Sequence, residues 1–119
     1  MKKVEIKKLD KLFREIIKEE YSNKCIICGK TDYLNVHHVE GRRIKSLRWY
    51  LPNGVLLCSG HHTFGMFSAH QSPMRMRKEL VDIFGTKWER DILKKSNLTF
   101  KGTFQTVQDY LEGKKDYYC

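Results

Sequence analysis

Three observations predict an α+β domain. Two short runs rich in β-branched and aromatic residues, Tyr33 to Val39 and Val55 to Leu57, read as strands. A CxxC at Cys25 and Cys28 precedes them and a CxxH at Cys58 and His61 closes them. Apolar residues recur at helical spacing on both sides. The chain has 119 residues, room for one domain and too few for two ordinary ones. Its expected parts are an N-terminal helix over 1–22, a knuckle and hairpin segment over 23–71, and C-terminal helices over 72–119.

The first helix follows from Leu9, Leu12, Phe13, Ile16, Ile17 and Tyr21, three to four residues apart among Lys, Arg and Glu. CIICGK reads as a knuckle turn closed by Gly29 and Lys30. The strand at Tyr33–Val39 ends at Gly41, and residues 42–53 read as a basic loop. The second strand runs into Cys58, and a helix is expected from Ser59 onward. Ser72-Pro73 marks a helix start, with Ser as N-cap and Pro in the first turn. Met74, Met76, Leu80, Val81, Ile83 and Phe84 supply its apolar residues, and Gly85 stops it. Thr86-x-x-Glu89 reads as a capping box opening a helix with Trp88, Ile92 and Leu93. A last, weaker helix is expected over 103–112, before Gly113.

Composition narrows the class. Hydrophobic residues make up 40% of the chain and charged residues 31%, the balance of a globular protein. No apolar run approaches the roughly 20 residues of a spanning helix. The basic N-terminus lacks the continuous apolar stretch of a signal peptide. An intracellular, cytoplasmic location without membrane contact is the expectation. Lys and Arg number 23 against 14 Asp and Glu, a formal charge of +9, which points to nucleic acid as partner.

In a reducing compartment, paired knuckles of Cys and His read as a zinc site rather than as disulfides. Cys25, Cys28, Cys58 and His61 can form a tetrahedral Cys₃His centre, closed to substrate and therefore structural. Cys119 stands apart as an incidental tail thiol.

Four further histidines remain: His37, His38, His62 and His70. Neighbouring residues of a strand point to opposite faces, so one of His37 and His38 can bind a metal while the other approaches from elsewhere. His62 follows the zinc ligand His61 directly and can face away from it. Asn53, just before the second strand, can tie the loop to the hairpin through its amide. Between Gly41 and Lys78 lie seven basic residues and no acidic one: Arg42, Arg43, Lys45, Arg48, Arg75, Arg77 and Lys78. Guanidinium forks match phosphate geometry, so Arg42, Arg43, Arg48, Arg75 and Arg77 are the expected DNA contacts. Trp49 and Tyr50 offer rings that can stack on an unpaired base, although core packing competes for at least one.

HHVEGRR followed by Asn53-GVLLCSGH-His62 resembles the motif of HNH endonucleases, the ββα-metal finger, and the two knuckles resemble its zinc-stapled subset. LDKLFREIIKEE, CIICGK, His38 followed by GRR, LRW, Asn53, Cys58, Ser68-Ala-His70 and MRKELVDIFG are similar to the phage NinG/Rap recombination nucleases, over roughly residues 9–95. The resemblance implies a small zinc-stapled ββα-metal finger with flanking helices. It implies metal-dependent hydrolysis of DNA phosphodiester bonds in phage recombination, on branched or structured DNA, by a phage or prophage protein inside the host cell. Junction resolution needs two coordinated cuts, which a homodimer would supply. In the HNH pattern His37 binds the divalent metal, His38 is the general base, His62 is the second ligand and His70 a candidate third, and Asn53 orients the hairpin. Mg²⁺ or Mn²⁺ is the expected catalytic ion, with other divalent metals open because imidazole ligands do not by themselves select Mg²⁺. The competing reading is a zinc-stabilised DNA-binding module without catalysis. It uses the Cys₃His centre and the basic loop and leaves the other four histidines without a role.

Overall fold

The first apolar stripe forms helix α1, Lys3–Glu20, in the computed structural model, which describes residues 1–119. Leu9, Phe13 and Ile17, one turn apart, form its buried face. The Lys2 backbone N–H donates to Glu5 Oε1 (2.8 Å), which satisfies one of the unpaired amides at the helix start. Ser22 and Asn23, both at positive φ, end the helix and turn the chain into the first knuckle.

Strands β1 (Leu34–His38) and β2 (Gly54–Cys58) pair antiparallel, with Leu34 opposite Cys58 and His38 opposite Gly54. β2 is buried along its whole length. Leu56 enters a cluster with Leu9, Phe13, Ile17, Trp49, Val107, Leu111 and Tyr118. Val55 and Leu57 enter a second cluster with Cys25, Cys58, Ala69, Met76 and Leu80. The period of two thus divides one apolar run between two cores.

Between the strands, the expected basic loop carries two short helical segments, α2 (Lys45–Arg48) and a 3₁₀ turn at Leu51–Asn53. Leu47 and Trp49 are fully buried there, and burial of two large side chains forces the backbone to satisfy its polar groups locally. The helix expected from Ser59 is a single wide turn, Gly60–Phe64, closed by Gly65 N–H to the Gly60 carbonyl (2.9 Å).

Helix α3, Pro73–Phe84, starts where Ser72-Pro73 predicts, but the Ser72 hydroxyl donates to the Met66 carbonyl (2.8 Å) instead of capping the helix. Met76 and Leu80 are buried, whereas Met74 and Ile83 are exposed. Helix α4, Thr86–Ser96, has Gly85 in the cap position. The capping box does not form, because Thr86 is already the first helical residue, and Glu89 accepts from Arg77 Nε (3.0 Å). Helix α5, Phe104–Leu111, packs on α1 and is capped by Thr103, whose hydroxyl accepts from the Thr106 N–H (3.2 Å). The result is a small α+β fold with a two-stranded sheet and several helices. No helix is long and apolar enough to cross a membrane.

Gly54 decides how closely α1 approaches the hairpin. A Cβ there would lie 2.6 Å from Phe13 Cζ and 3.0 Å from Ile17 Cδ1, both held in the core. Gly54→Ala should therefore destabilise the protein by about 1–3 kcal/mol, as overpacking does. A lower denaturant midpoint at unchanged slope would show this.

Candidate metal centres and basic cleft

The first knuckle is built by backbone hydrogen bonds. Cys25 N–H donates to the Lys30 carbonyl (2.9 Å) and Gly29 N–H to the Cys25 carbonyl (2.8 Å). Ile26 N–H reaches the Leu56 carbonyl (3.0 Å), which ties the knuckle to β2. The end of β2 and the wide turn supply Cys58 and His61. Cys28 Sγ lies 3.8 Å from Cys58 Sγ. His61 Nδ1 lies 3.3 Å from Cys58 Sγ and 3.7 Å from Cys25 Sγ. Four ligands around one tetrahedral zinc, with Zn–S about 2.3 Å and Zn–N about 2.0–2.1 Å, would be separated by about 3.8 Å between sulfurs and about 3.6 Å between sulfur and nitrogen. The donor set therefore fits a structural metal such as zinc. Burial by itself raises the Cys25 thiol, but backbone N–H groups around its sulfur outweigh burial and hold it below its ordinary value. That favours the thiolate, the form that binds metal.

His61 and His62 diverge. Ala69 N–H donates to the His61 carbonyl (2.7 Å) and His70 N–H to the His62 carbonyl (3.0 Å), so the chain doubles back over the wide turn. His62 Nε2 and His70 Nε2 come within 3.0 Å, and the His37 ring centroid lies 5.2 Å from that of His62 and 5.7 Å from that of His70. The three offer one nitrogen each to a common point. Two nitrogens about 2.1 Å from one ion at a right angle would stand about 3.0 Å apart, so the His62–His70 spacing suits neighbouring positions on an octahedral ion. Burial, then the neighbouring imidazoles, push His37 down to about 3. His62 is lowered by the same causes in the same order. Neutral imidazoles are what a metal needs.

His38 leaves the other face of β1. Its ring stacks on Phe13 at a centroid distance of 5.0 Å. Its Nε2 lies 3.0 Å from the Arg48 carbonyl, and a carbonyl can only accept, so Nε2 carries the proton and Nδ1 is left with a lone pair. Burial holds the ring down to about 4; the Arg48 carbonyl opposes this and the Arg42 charge adds to it.

Asn53 is fully buried and braces this segment. Its Oδ1 accepts from the Glu40 N–H (2.8 Å), and its Nδ2 donates to the carbonyls of Glu40 (3.0 Å) and Leu47 (3.1 Å). One amide thus joins the end of β1 to the α2 turn on either side of His38 and Arg48.

A cleft of about 290 Å³ contains His37, His38, His62 and His70, with Asp10, Arg14 and Arg42 on its walls. Asp10 and Arg14 are absent from the sequence-based set. They stand four residues apart on α1, so helical spacing shows them on one face, but nothing in the sequence shows that this face borders the hairpin. The Asp10 carboxylate accepts from Arg48 Nη2 (2.8 Å), Arg48 Nε (3.1 Å) and Trp49 Nε1 (2.9 Å). Burial opposes its ionisation, and the Arg48 pair and the Trp49 indole outweigh burial.

Two of the expected DNA contacts are thus engaged within the fold. Arg48 is engaged with Asp10, and Arg77 bridges Glu40 and Glu89 at 3.0 Å each, so neither presents a free guanidinium. The stretch without acids in sequence acquires carboxylates in space. Arg42, Arg43 and Arg75 stay exposed. Neither candidate stacking ring is available either. Trp49 is fully buried, and the Tyr50 hydroxyl donates to Asp91 (2.5 Å) with the ring among Tyr110 and Tyr117. Cys119 is exposed and far in sequence from both clusters.

Comparison with protein-family models, with curated proteins and with solved structures finds no match to this chain.

Two predictions follow from these centres. Cys58→Ser should lose tightly held zinc and lower Tm by roughly 10 °C or more, since folding and metal binding are coupled in such small sites and about 3 kcal/mol is worth that much here. An unchanged Tm with one full equivalent of zinc would refute the centre. The second concerns acid. His38 is held at about 4 in the folded protein, below the ordinary imidazole value of about 6.5, so the unfolded chain takes its proton first. The stability that neutral His38 contributes is complete above about pH 6.5 and is lost as pH falls toward 4. In zinc-loaded protein free of other divalent ions, His38→Gln should show a decline shallower by up to one proton between those limits, read from denaturant unfolding at each pH.

Proposed function

We propose that this protein is a metal-dependent DNA endonuclease of HNH type. The observation that carries the reading is the convergence, in one cleft, of a three-imidazole cluster and a fourth histidine whose proton is pinned to a backbone carbonyl. A DNA-binding module would leave all four without work, and three imidazoles brought to one point cost desolvation that a purely structural role does not require.

His38 acts as the general base. With Nε2–H held by Arg48, the Nδ1 lone pair takes the proton of an attacking water. In the free protein the ring is a weak base. A phosphodiester in the cleft adds negative charge beside it and raises its proton affinity. Arg42 and Arg14 stand where they can hold the phosphate oxygens. Asn53 keeps the His38 strand and the Arg48 carbonyl in register. His37, His62 and His70 would hold a divalent ion, which when bound supplies Lewis-acid stabilisation to the phosphate and the leaving oxygen. The cluster is all imidazole, a donor set that suits Mn²⁺ and later transition metals better than Mg²⁺. The phage recombination context and a branched substrate belong to this reading through the resemblance of the motifs.

Incubation with supercoiled plasmid tests the proposal. Cleavage should require a divalent ion, with Mn²⁺ more effective than Mg²⁺, and EDTA should stop it. His38→Ala should lower the rate about 10²–10⁴-fold. His62→Ala should be partly restored by more metal, whereas His38→Ala should not. Near-normal cutting by folded His38→Ala protein would reject the mechanism and leave the zinc-stabilised DNA-binding module as the better account.

A further inference from the structure

The loop that carries His62 and His70 exposes apolar side chains that the fold does not need. Phe64 is 84% exposed and Met66 77%, with Phe67 half exposed beside them. Single exposed apolar residues are ordinary, but three within four positions on one turn form a patch, and patches mark contact surfaces.

This turn is held in place without a partner. Gly65 N–H closes on the Gly60 carbonyl, and a Cβ at Gly65 would lie 2.3 Å from that oxygen, so only glycine permits the turn. The Met66 carbonyl accepts from Ser72 Oγ (2.8 Å). Buried Ser68 accepts from the Gln71 N–H (3.2 Å). One end of the turn is His61 of the Cys₃His cluster and the other is His70. The rings are displayed on a preorganised support, which removes an ordering cost from binding.

Charge indicates the occupant. The Arg75 guanidinium lies over the Phe67 ring, 4.0 Å from its centre, and Arg75 is itself exposed, so a cation stacked on one ring borders the apolar patch. That pairing suits a nucleobase with its own phosphate, on a chain whose net charge is +9. Trp49 and Tyr50 are engaged inside the fold, which leaves Phe64 and Phe67 as the exposed aromatic rings next to the imidazole cluster.

We infer that Phe64 and Phe67, with Met66 between them in the turn, form a stacking platform for unpaired nucleobases, so that the strand led to the histidine cleft is held with its bases unstacked from a partner strand. This rests on the nuclease reading for its purpose, but not for its test. The probe is a short DNA single strand with 2-aminopurine at one position, and the same strand in a duplex, added to zinc-loaded protein without other divalent ions. Wild-type protein should quench the base analogue in the single strand and bind that strand more tightly than the duplex. Phe64→Ala and Phe67→Ala should weaken single-strand binding roughly five- to 150-fold between them, the range that stacking of one base spans, and abolish the quench. Phe64→Trp should retain both, and duplex binding should be unchanged in all. Both substituted positions are solvent-exposed, so an unchanged Tm verifies the fold. Variants that bind and quench like wild type overturn the inference and turn the patch over to a protein partner. Equal binding of single strand and duplex by the wild type also overturns it. Neither result touches the nuclease reading, whereas failure to bind either strand would sink both. An inactive protein that still quenches through Phe64 would uphold the platform alone.

Discussion

Every residue of β2 is buried, and both halves of the hydrophobic interior take a wall from it. A five-residue strand with apolar neighbours on two sides keeps only its last position, Cys58, for a ligand. The imidazoles therefore sit on its partner. β1 has one neighbour strand, and its last two residues present imidazoles to opposite sides of the hairpin. His37 goes toward the wide turn and His38 toward α1. Gly54, opposite His38, leaves the space that Phe13 fills beneath the imidazole. The separation of the His37 imidazole, which joins the three-histidine cluster, from that of His38, which packs on α1, is a result of strand alternation combined with a glycine.

Helix α1 contributes more than apolar packing. Through Asp10 it fixes Arg48, and the Arg48 carbonyl fixes the His38 tautomer. An ion pair with both partners mostly shielded contributes little net stability unless its geometry is good. Here it is bidentate, with the Trp49 indole as a third donor, so the value of the pair lies in the position it imposes on the backbone at Arg48.

Much of this was legible in the sequence, and the reasons are local. CxxC and CxxH are spaced by turn geometry, so the Cys₃His cluster could be read without knowing the fold. That one of His37 and His38 would join His62 followed from strand alternation and from the adjacency of His61 and His62, and the choice of His37 came from the resemblance to the HNH motif. The strands fell within one or two residues of their expected limits. What stayed hidden was long-range. Asp10 and Arg14 belong to the cleft only because α1 crosses the hairpin, which a helical pattern does not state. Arg48 and Arg77 looked free because their carboxylate partners lie 37 or more positions away, or beyond the next helix start. Trp49 or Tyr50 was open to stacking or to the core from sequence, and the structure puts the Trp49 ring in the core, its indole on Asp10. The capping box at Thr86 failed for a local reason: the helix starts one residue earlier than it requires, with Gly85 in the cap position.

The adjacency of His61 and His62 has a thermodynamic consequence. One residue belongs to the sulfur-rich cluster and the next to the imidazole cluster, with a single peptide unit between them. Any ion that fixes His61 restricts the conformations open to His62, and the reverse holds equally. Linkage is reciprocal: if occupancy of one centre raises affinity at the other, the second must raise affinity at the first by the same factor. Were both clusters to hold ions, each would report on the occupancy of the other.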